Sequence, residues 1–62
     1  MEPTAALKSA FPNAQFVGVD FSFDRSGLRL GVKQDGKTHV TFIDGLDDMQ
    51  DGIARLRKAV AA

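Results

Sequence analysis

A two-layer α+β fold is what this sequence predicts: a helix, a three-stranded antiparallel meander and a second helix, with both helices on one face of the sheet. Three observations carry that expectation. Period-two alternation runs through QFVGVDFSFD, LRLGVK and THVTFI, as in strands with one buried face. Turn chemistry separates these runs, at DRSG and at QDG. The two ends instead repeat apolar residues at spacings of three and four, the helical period. With 62 residues the chain makes a single domain, 1–62, near the lower limit for folding alone.

PTAALKSAFP reads as a short helix in which Leu7, Ala10 and Phe11 share a face and Pro12 ends the run. At two turns it must dock to persist. The first strand spans Gln15 to Asp24, with Val17, Val19, Phe21 and Phe23 on one side and Phe16, Gly18, Asp20, Ser22 and Asp24 on the other. Leu28, Leu30 and Val32 alternate with Arg29, Gly31 and Lys33 in the second strand, and Val40 and Phe42 with His39 and Thr41 in the third.

Matching apolar faces sets the expected pairing, because a slip of one residue turns a whole strand over. Phe23 opposite Leu28 leaves the loop Asp24-Arg25-Ser26-Gly27, whose last residue supplies a positive φ cheaply. For the second hairpin, a two-residue Asp35-Gly36 turn sets Val32 against His39 and Leu30 against Thr41, which mixes apolar with polar. A three-residue loop, Gln34-Asp35-Gly36, closed by a glycine bulge sets Val32 against Thr38, Leu30 against Val40 and Leu28 against Phe42. The bulged turn is therefore predicted. The core face then holds Val19, Phe21, Leu30, Val40 and Phe42.

LDDMQDGIARLRKAV completes the fold as an amphipathic helix carrying Leu46, Met49, Ile53, Leu56 and Val60 on its stripe. Asp47 and Gln50 fit a capping box, and the order of early acids and late bases suits the helix dipole. Gly52, beside the stripe, reads either as close approach to the sheet or as a kink.

Composition narrows the function. The chain has no cysteine and one histidine, which excludes a disulfide framework and a thiolate or multi-histidine metal site, and no cofactor is expected. Eight basic and eight acidic residues cancel, so there is no global pull toward polyanions. The N-terminus lacks the pattern of a signal peptide, and no run approaches the roughly 20 apolar residues of a membrane span. A cytoplasmic protein is the expectation.

On the predicted outer face, Asp20 and His39 flank a notch at Gly31. An aspartate orienting a histidine is the geometry of a general base, with Ser22 or Thr41 as nucleophile. The pair stands about 10 Å apart, however, on a flat sheet that offers no water-excluding pocket. Catalysis is not expected.

The basic stripe Arg25, Arg29, Lys33 and Lys37 raises nucleic acid as an alternative partner. The order helix, three strands, helix resembles that of the double-stranded RNA-binding domain. That family sets lysines at the start of its second helix, whereas this chain places Asp47, Asp48 and Asp51 there, which repel phosphate. The C-terminal stretch DGKTHVTFIDGLDDMQDGIARLRKAV is similar to the end of small phage head-tail joining proteins of the lambda W type, which implies a structural role in a virion.

The principal expectation is a non-catalytic module that binds another protein, acting as a small phage or bacterial regulator or inhibitor, with a second copy of itself among the partners. A marginal core gains stability from association, and the outer strands offer edges for pairing. The residues expected to contact the partner are Phe16, Asp20, Arg29, Lys33, His39 and Ile43, none of them needed by the predicted core.

Overall fold

The computed structural model describes residues 2–21 and 27–62. Expectations placed on Ser22, Phe23, Asp24, Arg25 and Ser26 lie outside the described residues. Helix α1 spans Pro3–Ala10. Proline suits the first helical turn, whose N–H groups have no partner within the helix. The Glu2 carboxylate caps that turn, accepting from the Thr4 and Ala5 N–H groups at 3.3 Å each. Phe11 leaves helical conformation just before Pro12, its N–H donating to the Leu7 carbonyl at 2.9 Å. Leu7 and Phe11 are both buried, so the short helix persists because it docks.

Three strands follow, β1 (Phe16–Phe21), β2 (Leu28–Gln34) and β3 (Lys37–Ile43), in an antiparallel sheet of order β1-β2-β3. Helix α2 spans Met49–Ala61. Helix α1 packs on β1 and α2 on β3 and β2, and the helices also touch each other. This is the predicted α+β arrangement. Leu30 and Val32, wholly buried on the central strand, meet Leu7, Phe11, Ile53 and Leu56 from the helices in one core.

The second hairpin corrects the predicted register. Gln34 pairs with Lys37, so the loop is the two-residue Asp35-Gly36 turn and not a three-residue bulge. Asp35 has φ 55° and Gly36 φ 77°. Positive φ at both central residues is the type I′ turn, whose twist matches that of the flanking strands. That local geometry outweighs the cost of facing apolar side chains with polar ones. Val32 therefore pairs with His39, Leu30 with Thr41 and Leu28 with Ile43. Replacing Gly36 with alanine is expected to cost about 1–2 kcal/mol, the penalty of a left-handed residue bearing a Cβ, and urea denaturation will measure it.

The inversion is complete along β3. His39 and Thr41, predicted to face solvent, lie half-buried on the helix side, and Ile43 is buried there at 4% exposure. Val40 and Phe42, predicted as core, are 50% and 37% exposed on the other face. The first hairpin shifts by two residues, pairing Phe21 rather than Phe23 with Leu28. An even shift keeps every β1 side chain on its predicted face. Gly27 has φ 124°, and a Cβ there would run into the Ile43 carbonyl oxygen, so the chain enters β2 tight against the end of β3. Phe21, predicted as core, is 76% exposed at the end of β1.

A 3₁₀ turn, Leu46–Asp48, precedes α2 and replaces the predicted first helical turn. With three residues per turn instead of 3.6, it rotates Leu46 off the apolar stripe and leaves it 54% exposed. The predicted capping box does not form: Asp48 is the N-cap, without a side-chain bond, and its own N–H donates to Gly45. Met49, Ile53 and Leu56 are buried as predicted, and Val60 packs against them. Gly52 is explained by close approach: a Cβ there would stand 2.7 Å from Leu30 Cδ1 and 2.8 Å from Ile43 Cγ2.

Candidate binding face

With both helices on one side, the opposite face of the sheet is uncovered among the described residues, and the register arranges it in three rows. Asp20, Arg29 and Phe42 form the first; Gly18, Gly31 and Val40 the second; Phe16, Lys33 and Thr38 the third. Large apolar groups thus stand at both margins, cations run along the middle strand, and the centre has no side chains between β1 and Val40.

Each position has a local cause. Phe16 begins β1 because Gln15 ties that strand to the turn: its N–H donates to the Lys33 carbonyl at 2.8 Å, and its side-chain oxygen accepts from Gly36 at 3.0 Å. The Phe16 ring leans over Gly18, where a Cβ would come within 3.2 Å of Cε1. Arg29 and Asp20, opposite each other on neighbouring strands, form an ion pair at 3.3 Å. Both are exposed, so the pair contributes at most about 1 kcal/mol and serves more to orient the guanidinium. The resulting depression holds about 550 Å³, with Phe16, Gly18, Gly31, Lys33 and Val40 among its lining.

Four of the six predicted contact residues, Phe16, Asp20, Arg29 and Lys33, share this face. His39 and Ile43 do not, since the type I′ turn carries them to the helix side, where Ile43 packs against Gly52. The Asp20–His39 notch at Gly31 disappears with them, for the two side chains now lie on opposite faces. Val40 and Phe42 take their place on the outside. The signal for this was the Asp-Gly dipeptide itself, the strongest short-range mark of a two-residue hairpin.

On each sheet edge a side chain occupies one outward backbone group. Antiparallel alternation from the Gln34–Lys37 closing pair turns the backbone groups of Phe21 and Phe42 away from β2. The Phe21 N–H there donates to Asp20 Oδ1 at 2.9 Å, and the Phe42 carbonyl accepts from Arg55 at 2.8 Å. Side chains that occupy edge groups in this way discourage strand addition. A second apolar depression, about 560 Å³, lies at the end of the core between Pro3, Phe21, Leu28 and Leu46.

Among the described residues no group of three or more metal-ligating side chains comes together, and no helix is long and apolar enough to cross a membrane. No protein-family model, curated protein or solved structure matches the chain.

Proposed function

We propose that this protein is a non-catalytic interaction module that captures another protein on the open face of its sheet and acts as a regulator or inhibitor by occupying that partner. The observation that carries the reading is the exposure of Phe16 and Val40, on the two outer strands of a face that neither helix covers among the described residues. Uncovered apolar side chains grouped on one surface and rimmed by charge are the mark of an interaction site. Asp20, Arg29 and Lys33 supply the polar rim. The reading contains no chemical step: the one aspartate–histidine pair that suggested catalysis is divided between two faces.

Phe42→Thr tests it. Threonine suits a strand, and Phe42 stands outside the core cluster, so the variant is expected to stay folded with a loss of about 1–2 kcal/mol. Affinity capture from lysate of the expressing cells should retain a partner with the wild-type chain and lose it with this variant. Identical capture by both proteins counts against the open face.

One observation favours a second reading, single-stranded nucleic acid. The register adds Phe42 to Phe16 on the face that bears Arg29 and Lys33, and bases stack on aromatics set beside cations. Such binding weakens steeply with salt; an isotherm that stays flat at low salt removes it.

A further inference from the structure

Gly31 is a residue that the fold does not require. It stands in the middle of the central strand, its φ is not positive, and a Cβ built on it meets nothing within 4 Å. Glycine in a strand interior weakens a sheet by about 0.5–1 kcal/mol relative to alanine, and it often marks a place where a ligand or another chain approaches closely. The missing side chain here opens a slot. Its floor is the β2 backbone, the Phe16 ring over Gly18 bounds one side, and Val40 bounds the other. Arg29 and Lys33 stand two residues away in either direction along β2, about 6–7 Å from Gly31 on the same face.

Charge selects the occupant. A two-fold axis that passes over β2 would stack two copies with Arg29 and Lys33 against their own like charges, which is unfavourable. Charge disfavours a second copy in that stacking. Nucleic acid gains its affinity from many phosphate contacts. Among the described residues this face has two cations, one shared with Asp20, on a chain of zero net charge. A protein segment with two carboxylates needs no more than two cations.

We infer that the slot takes an extended acidic segment of pattern acid–x–aromatic–x–acid, its ring seated over Gly31 between Phe16 and Val40 and its carboxylates on Arg29 and Lys33. Alternate residues of an extended chain point the same way about 6–7 Å apart, which matches the spacing of the slot and its two cations. The inference rests on the reading that the open face captures a protein, and it specifies that partner's chemistry.

The probe is the synthetic peptide Thr-Glu-Thr-Trp-Thr-Glu-Thr, titrated into the ¹⁵N-labelled full chain. Amide shifts are expected at Phe16, Gly18, Gly31, Lys33 and Val40. Replacing both Glu by Gln should weaken binding about fivefold, the scale of two exposed ion pairs, and replacing Trp by Ala should abolish it. Gly31→Val fills the slot with a strand-favouring side chain in open space, so its thermal midpoint should match or exceed that of the wild type while the peptide no longer binds. Four results overturn the inference: no shifts on this face, equal binding of the Gln peptide, binding that survives Gly31→Val, or a dT12 oligonucleotide that perturbs the same amides more tightly. Shifts that appear on concentrating the protein alone give the face to a second copy and overturn it too. If Gly31→Val loses the partner captured from lysate while the peptide fails to bind, the inference falls and the open-face reading stands. If capture also survives Gly31→Val and Phe42→Thr, both fall.

Discussion

Leu30→Ala is expected to leave the chain largely unfolded at room temperature. Leu30 lies at the middle of the central strand with no exposed surface, in the core shared with both helices. Truncating a buried leucine to alanine costs about 2–5 kcal/mol, the sum of lost burial and of the cavity left behind. A core in this size class supplies about 3–5 kcal/mol in total, so the substitution consumes most or all of it. Far-ultraviolet circular dichroism and urea titration will read the loss directly. A cooperative transition with a midpoint close to the wild type would mean that the core is centred elsewhere.

Gly52→Val should be nearly as damaging, for the opposite reason: it adds volume where none is free. Even a single Cβ at this position would approach Leu30 Cδ1 to 2.7 Å and Ile43 Cγ2 to 2.8 Å. Both neighbours are buried. Overpacking of this kind costs about 1–3 kcal/mol, and valine brings two methyl groups beyond the Cβ. Replacing glycine in a helix returns at most about 1 kcal/mol of propensity. The expected result is a chain that unfolds at much lower urea concentration, with α2 displaced from β3 in whatever native fraction remains. Gly52→Ala should fall between the two, since alanine gains the propensity and suffers the smaller clash. A Val variant as stable as the wild type would contradict the close helix–sheet contact.

These two substitutions also separate what could be read from the chain and what could not. The helices were legible because Leu7 and Phe11, and then Met49, Ile53, Leu56 and Val60, recur at the helical period whatever surrounds them. The strands were legible because alternation marks which residues share a face within one strand. Four of the six expected contact residues followed: Phe16, Asp20, Arg29 and Lys33 keep their predicted side because the first hairpin shifts by an even number of residues. Where β3 was concerned, the apolar pair Val40 and Phe42 suggested burial, and the suggestion was wrong. Whether an apolar side chain is buried depends on whether another layer covers it, and both helices lie on the other side of the sheet.

The sequence by itself therefore determined the number, type and order of the elements, since these rest on local period and on turn residues. Only the tertiary structure decided which side of β3 meets the helices. The Asp35-Gly36 turn sets the parity of that strand, and the contact of Gly52 with Ile43 and Leu30 shows where α2 lies. The first is a matter of backbone twist and the second of close packing between distant segments. Neither is written in the alternation of β3, which taken alone points Val40 and Phe42 toward the core.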